Sequence, residues 1–143
     1  MKILVSNCLL GKKCRYKGDD CKNEKVLAFI RGHEVFGVCP EQMGGLPTPR
    51  DPGERVGDKV LSNKGKDITA EYSLGAQKAL STAKENGVDL CVLKAKSPSC
   101  GCGVIYDGTF SGNLTSGDGV TTELLKANGF KVVTENDLPD NNI

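Results

Sequence analysis

Short apolar runs that stop at polar residues recur along the chain and predict buried strands. The first covers residues 2–6 (Lys-Ile-Leu-Val-Ser), and further strands are predicted at about 34–38, 88–93 and 130–133. Strands covered on both faces of a parallel sheet show such runs, whereas half-exposed strands alternate apolar and polar residues. The pattern therefore indicates a sheet that is buried on both faces.

Segments with helical spacing separate these strands. Helices are predicted at about 24–31, 68–85 and 120–127, each ending close to a glycine. The second is the clearest, and its apolar positions at helical spacing are Tyr72, Ala76, Ala79, Leu80 and Ala83. Strands alternating with helices predict an α/β fold: a single compact Rossmann-like domain over residues 1–134, with a mainly parallel sheet flanked by helices.

The remaining segments are predicted to be mostly loops. Residues 40–65 are rich in proline and glycine, and a loop this long inside a compact domain usually has a function. Residues 101–119 are rich in glycine, with one short extended piece at 104–106. Residues 135–143 are polar, and we expect them to fray as a C-terminal tail.

Cysteines follow three of the predicted strands. Cys8 comes just after the first strand, Cys39 just after the second, and Cys100 lies in the loop after the third. In a parallel sheet, ligands bind outside the carboxyl ends of the strands. We therefore expect these three thiols to meet at one edge of the sheet.

Charge and length exclude several classes of function. The chain has 143 residues, with 19 Lys+Arg against 18 Asp+Glu and a formal net charge of +1. Such a chain has no general field to attract a nucleic acid polymer or an anionic membrane surface. The apolar start is shorter than a signal peptide needs, and no apolar run approaches a membrane span, so we expect a cytoplasmic protein.

Seven cysteines in a reducing compartment need an explanation other than structural disulfides. Their odd number and the lack of a repeated C-x-x-C unit argue against a disulfide framework and against a zinc ribbon. Thiolate chemistry or a cluster remains. Cys91 alternates within an apolar strand and is expected in the core, while Cys14 and Cys21 are either incidental or a reversible disulfide.

Two short motifs place polar groups beside the expected ligands. Residues 39–41 (Cys-Pro-Glu) resemble the first turn of a helix, where the dipole would lower the pKa of the Cys39 thiol and Glu41 would lie within reach as a proton donor. A tight turn with a surface carboxylate is the plainer alternative. Residues 97–103 (Ser-Pro-Ser-Cys-Gly-Cys-Gly) put hydroxyls and thiols on a loop whose glycines let the backbone approach a bulky group.

A third motif, residues 116–122 (Ser-Gly-Asp-Gly-Val-Thr-Thr), precedes the last predicted helix. Gly117 and Gly119 would free backbone N–H groups there, with Thr121 beside them. The motif therefore predicts a cradle for an anion such as a phosphate. Ordinary capping of the helix is an equal alternative.

These motifs are similar to those of the thiouracil desulfidase family. The similar blocks cover residues 2 to about 133 and are Ser6-Asn7-Cys8-Leu9-Leu10-Gly11, Arg15-Tyr16, Cys39-Pro40-Glu41, Gly44 to Arg50, Ser97 to Gly101, Ile105 to Phe110 and Gly119-Val120-Thr121. The resemblance implies an enzyme with a 4Fe-4S cluster held by Cys8, Cys39 and Cys100. One iron would stay free to bind the sulfur of a thiolated uracil.

The resemblance also implies roles for the polar residues. Glu41 corresponds to the catalytic carboxylate, and Ser97, with Ser99 as the alternative, assists at the substrate. The implied reaction is non-redox, since a thiocarbonyl and water give a carbonyl and sulfide. The substrate would be a small thiolated pyrimidine or its nucleotide, such as 2-thiouracil or 4-thio-UMP. A soft iron site that selects sulfur, beside a carboxylate that moves protons, agrees with this chemistry.

Two other functions fit the same residues. If Cys102 supplied a fourth thiolate, the cluster would have no open position. The protein would then be a non-catalytic iron–sulfur or redox-sensing protein, with Cys14 and Cys21 as its switch. A zinc-binding module is the third possibility. The oligomeric state does not follow from the sequence.

Overall fold

A computed structural model describes residues 1–139, so the last four residues of the predicted tail lie outside the described part. Its elements in chain order are β1 (Lys2–Ser6), a 3-10 helix (Asn7–Leu10), α1 (Glu24–Ile30), β2 (Glu34–Val38), α2 (Pro40–Met43), β3 (Gly53–Val56), β4 (Lys59–Ser62), α3 (Thr69–Asn86), β5 (Leu90–Leu93), β6 (Val104–Tyr106), β7 (Leu114–Ser116), α4 (Val120–Ala127) and β8 (Val132–Thr134).

Four parallel strands form the central sheet in the order β2-β1-β5-β8. Successive residues of β1 point to opposite faces, and both faces are covered. Ile3 and Val5 pack with Phe29 of α1, whereas Leu4 packs on the other face with Ala83 of α3. The predicted α/β fold, a parallel sheet flanked by helices, is confirmed.

Most predicted elements agree with the structure to within two residues. The strands predicted to start at 88 and 130 instead begin at Leu90 and Val132. Gly87 ends α3 in the left-handed conformation, and the N–H of Val88 donates to the carbonyl of Ala83. Val88 is therefore part of the cap of the helix, which delays the start of β5.

Residues 40–65 are not simply a loop, and this part of the prediction was wrong. They contain α2 and an antiparallel hairpin of β3 and β4. The hairpin is tied to the rest of the fold by Glu54, whose Oε1 accepts the N–H groups of Gly108 and Phe110 at 3.0 and 3.1 Å. The pairing within the hairpin is local, but the contacts that hold it against the fold join residues 54 and 56 positions apart in the sequence, which local patterns do not show.

The start of the predicted tail is anchored rather than frayed. Glu135 accepts the N–H of Ala95 at 2.7 Å and forms an ion pair with Lys94 at 3.0 Å. These contacts fasten the end of β8 to the segment that follows β5. Within residues 1–139, no helix has the length and apolar content needed to cross a bilayer.

The strand order creates a crevice at one edge of the sheet. From β1 the chain adds β2 on one side and later returns to add β5 on the other side of β1. The segments that leave the carboxyl ends of β1 and β5 therefore run to opposite sides of the sheet. Such a switch point is the usual ligand site of a parallel sheet.

Candidate active site

A pocket opens at the carboxyl ends of β1, β2 and β5. Cys8, Cys39 and Cys100 line it together with Glu41 and Ser97. The three cysteines are buried, with 8, 8 and 5% of their surface exposed. The structure thus brings together five predicted site residues that come from three separate stretches of sequence.

Each of the three cysteines is fixed by the backbone of its own element. Cys8 lies in the 3-10 helix that continues β1, and this helix ends at Gly11 in a left-handed conformation. Cys39 is the N-cap of α2, with Pro40 at the first helical position. Cys100 sits in a turn closed by the N–H of Gly101 donating to the carbonyl of residue 97. The thiols are therefore held by short, constrained segments.

The pKa of the Cys39 thiol is raised, not lowered as the helix motif predicted. The hydrogen bond with Cys14 and burial outweigh the contribution of the α2 backbone. Burial raises the pKa of Cys100 to about 12, although hydrogen bonds with Ser6 and Ser99 lower it. Without a metal these thiols are protonated at neutral pH, so binding a metal would release their protons.

Glu41 is held by two donors at a single carboxylate oxygen. The Tyr72 hydroxyl donates to Oε1 at 2.5 Å, and Arg50 Nε donates to the same atom at 3.3 Å. Burial and the Glu41 charge raise the pKa of Tyr72, so its hydroxyl stays protonated and donates. The sequence pattern had placed Tyr72 only among the core residues of α3.

Arg50 connects Glu41 to two loops, and its side chain is only 5% exposed. It donates to Thr48 Oγ1 at 2.9 Å, to the carbonyl of Pro47 at 3.1 Å and to the carbonyl of Cys14 at 2.9 Å. One guanidinium therefore fixes the carboxylate, its own loop and the segment after Cys8. A planar group with five donors suits this role.

Ser97 both shapes the Cys100 turn and faces the pocket. Its Oγ accepts the N–H groups of Ser99 and Cys100, each at 3.0 Å. A serine hydroxyl has two acceptor positions and one proton to donate. With its acceptor positions occupied, Ser97 still has a proton to donate to a group in the pocket.

The glycine-rich segment before α4 does not reach the pocket. The N–H groups of Gly117, Gly119 and Thr121 donate to carbonyls of the 97–103 loop at 2.8–3.1 Å. Ser99 is 1% exposed, and its hydroxyl pairs with that of Thr121 at 2.9 Å. Gly117, Gly119 and Thr121 therefore brace the loop that carries Ser99 and Cys100, and none of their three N–H groups is free for a phosphate.

The remaining cysteines divide into one that faces the pocket and three that do not line it. Cys14 lines the pocket. The sequence around Cys14 gave no reason to distinguish it from Cys21. Cys21 packs at the edge of the core, and Cys91 is fully buried in β5. The sulfur of Cys102 lies 3.6 Å from the carbonyl of Val132 in β8, and Cys102 does not line the pocket.

The donor set suits a multinuclear cluster better than a single ion. Within the described residues, no three His, Cys, Asp or Glu side chains meet closely enough to hold one metal ion. Iron–sulfur clusters present several irons and are held by separate thiolates. Three separate buried thiols around one pocket fit that requirement.

Comparison with known proteins identifies the family of the chain. Residues 3–137 match the family model described as 2-thiouracil desulfurase. The Bacillus subtilis (strain 168) protein YbbK is 43% identical over 148 residues, covering 96% of this chain and 98% of that protein. A solved structure, the [4Fe-4S]-dependent thiouracil desulfidase TudS, is 44% identical with a TM-score of 0.90, covering 96% of this chain and 93% of that one. The chain belongs to the 2-thiouracil desulfurase family.

Proposed function

We propose that this protein removes sulfur from thiolated uracil compounds by non-redox hydrolysis, with a 4Fe-4S cluster held by Cys8, Cys39 and Cys100. The observation that carries the proposal is the convergence of these three buried thiols with Glu41 and Ser97 in one pocket. Membership of the family and the likeness to TudS, whose name states a [4Fe-4S]-dependent thiouracil desulfidase, support it.

The reaction exchanges sulfur for oxygen at one ring carbon. Water supplies the oxygen, the carbon–sulfur bond breaks, and the sulfur leaves as hydrogen sulfide with the two protons of water. No electrons are gained or lost by the substrate. When bound, the cluster supplies a soft Lewis acid that attracts the thiocarbonyl sulfur.

Glu41 transfers the protons in this proposal. Its carboxylate is fixed by Tyr72 and Arg50 beside a cluster ligand, so it lies within the pocket that the substrate enters. A carboxylate in that position accepts a proton from water and returns it to the leaving sulfur. Tyr72 and Arg50 act through Glu41, which makes them positioning residues.

Ser97 binds the substrate through its hydroxyl. Its acceptor positions are used by the turn, and its proton is available for a carbonyl or ring nitrogen of the pyrimidine. Ser99 pairs with Thr121 and does not line the pocket, which favours Ser97 over Ser99 for this role. The phosphate role of Gly117, Gly119 and Thr121 is not part of the proposal, because their N–H groups are engaged elsewhere.

Both the free base 2-thiouracil and the nucleotide 4-thio-UMP remain substrates to be tested. The decisive experiment is anaerobic reconstitution of the cluster, followed by sulfide release assays with thiolated bases, nucleosides and nucleotides. We expect sulfide and the matching oxo-pyrimidine in equal amounts. A reconstituted protein that releases no sulfide from any of them would contradict the proposal.

The alternative of a closed, non-catalytic cluster finds no support at Cys102. Its sulfur lies 3.6 Å from the carbonyl of Val132 in β8, and Cys102 does not line the pocket. The seven cysteines are all free thiols, which suits a reducing compartment and supports a cytoplasmic location.

A further inference from the structure

A lysine lines the pocket without a part in the proposed reaction. Lys94 follows β5 directly and lines the pocket together with Ala95. Its ammonium nitrogen lies 3.2 Å from the carbonyl oxygen of Ala95, so the charge sits beside the wall of the pocket. The side chain of Lys94 is 28% exposed, and its contacts therefore do not seal it from solvent.

Lys94 is held by both strands that neighbour β5 in the sheet. Its backbone N–H donates to Ser6 Oγ at the end of β1, at 3.0 Å. Just after β8, Glu135 forms an ion pair with the ammonium at 3.0 Å, and the side chain of Glu135 is only 8% exposed. The other carboxylate oxygen of Glu135 accepts the N–H of Ala95 at 2.7 Å. The ammonium therefore has a defined position instead of the free movement of a surface lysine.

The ammonium has a donor to spare. A lysine ammonium carries three N–H groups. The Ala95 carbonyl and the Glu135 carboxylate take two of them. Within residues 1–139, no third acceptor contacts this nitrogen. One N–H of a fixed, charged donor is therefore available to a molecule in the pocket.

The neighbouring carboxylate decides which ligand suits this donor. Glu135 offsets the charge of the ammonium, and a phosphate bound there would meet the repulsion of a carboxylate at close range. A neutral carbonyl oxygen would not, and it would still receive a charge-assisted hydrogen bond. A thiolated uracil has one thiocarbonyl, which reacts, and one carbonyl, which does not. We propose that Lys94 is a substrate-binding residue that donates to this unreactive carbonyl oxygen, an inference that rests on the proposed function.

This contact would make Lys94 a determinant of specificity. A site built to hydrogen-bond a polar group of its substrate discriminates against analogues that lack the group. Lys94 would therefore favour uracil compounds over rings without the second carbonyl. If the ion pair only fastened β8 to β5, its loss would weaken the binding of both kinds of ring equally or not at all.

The test compares Lys94→Met, which keeps the length of the side chain without its charge, with Lys94→Arg, which keeps a charged donor. Lys126→Met is the matched control, because Lys126 is also ion-paired, with Asp118 at 3.2 Å, and does not line the pocket. Each protein is reconstituted anaerobically, and its iron and sulfide are measured. Uracil, UMP and 2-hydroxypyrimidine, which lacks the second carbonyl, are titrated by calorimetry. The kcat and KM for 2-thiouracil are then determined.

We expect all variants to hold the parent amount of iron and sulfide. In Lys94→Met, the dissociation constant of uracil and the KM for 2-thiouracil should rise by about 10- to 100-fold, as for a lost hydrogen bond to a charged group. The kcat should change little, since the contact is made equally in the ground state and the transition state. The binding of 2-hydroxypyrimidine should stay at the parent level, and Lys94→Arg should recover most of the loss.

Several results would overturn the inference. One is equal weakening of uracil and 2-hydroxypyrimidine in a folded Lys94→Met protein, and another is no weakening of uracil. The same loss in Lys126→Met would show a general effect of breaking an ion pair. A loss confined to UMP would assign Lys94 to a phosphate instead of a carbonyl.

The same data separate this inference from the proposed function. A parent protein that holds its cluster but releases no sulfide from any thiolated uracil removes both. A parent that releases sulfide, with a Lys94→Met variant that binds uracil as the parent does, removes only the contact with the carbonyl.

Discussion

Tyr72 and Arg50 bind the same oxygen of the Glu41 carboxylate, at 2.5 and 3.3 Å. Glu41 forms an ion pair with Arg50, whose side chain is nearly buried. It also accepts a hydrogen bond from the neutral Tyr72 hydroxyl, so two donors fix the direction of the carboxylate. Such hydrogen bonds to an ionised group are stronger than neutral ones. At the scale of single residues, the site is therefore built around an aligned carboxylate rather than a mobile one.

The first prediction concerns Glu41→Gln, which preserves the shape of the side chain and removes its ability to carry a proton. We expect iron binding to stay at the parent level while sulfide release falls by the ~100 to 10,000-fold typical of a lost general acid or base. Glu85→Gln, an exposed change on α3, is the control. Sulfide release at the parent rate would transfer the proton role to Ser97 or to water.

The carboxyl ends of three adjacent strands carry the three thiols, and this convergence is a property of elements rather than of local spacing. We predict that Cys8→Ala, Cys39→Ala and Cys100→Ala each lose the cluster, because two remaining thiolates are too few to hold it. Cys91→Ala should keep it. Iron and sulfide analysis after anaerobic reconstitution measures the outcome, and a full cluster in Cys39→Ala would refute the ligand assignment.

Two helices approach each other closely behind the site. A Cβ added to Gly75 of α3 would lie 1.8 Å from the carbonyl oxygen of Pro40. A Cβ on Gly44, at the end of α2, would lie 1.9 Å from the carbonyl oxygen of Glu71. Neither partner is a flexible side chain. The crossing of α2 and α3 therefore requires glycine on both sides, and it sets the position of the turn that carries Cys39 and Glu41.

This crossing gives a prediction at the scale of elements. With open space around it, alanine at position 75 would stabilise the protein by about 1 kcal/mol through its higher helix propensity. Because the added Cβ clashes with the Pro40 carbonyl, we instead expect Gly75→Ala to lower the free energy of unfolding by roughly 1–3 kcal/mol. Urea unfolding measures the change, with the exposed Ser81→Ala on the same helix as control. A variant as stable as the parent would show that α2 can move without cost.

The elements that could be predicted are those with local patterns. The apolar run of β1 and the helical spacing of α3 predicted both elements, and the positions after the strands predicted where the thiols meet. What was missed depends on contacts across the fold. Tyr72 reads as a core residue until Glu41 is placed beside it, and Cys14 is indistinguishable from Cys21 in the sequence. The N–H groups of Gly117 and Gly119 looked free only because their acceptors lie in another loop.

For the whole molecule, a cluster would connect the segments that follow β2, β1 and β5, three neighbours in the sheet. Anything that binds the folded state and not the unfolded chain stabilises the fold. The predicted consequence is that the cluster-loaded protein resists unfolding better than the same chain without its cluster.

The last prediction gives this a size. A ligand present at a hundred times its dissociation constant adds about 2.7 kcal/mol to the free energy of unfolding. Each kcal/mol corresponds to about 2–4 °C in the melting temperature of a domain of this size. The melting temperature should therefore fall by roughly 5–10 °C when a chelator removes the cluster. The measurement is anaerobic thermal unfolding before and after chelation. Cys39→Ala, which should hold no cluster, is the control and should not respond to the chelator. If the melting temperature of the parent did not change although its iron was lost, the three segments would be fully organised by the protein alone. The buried thiols and the Arg50 contacts already organise part of them.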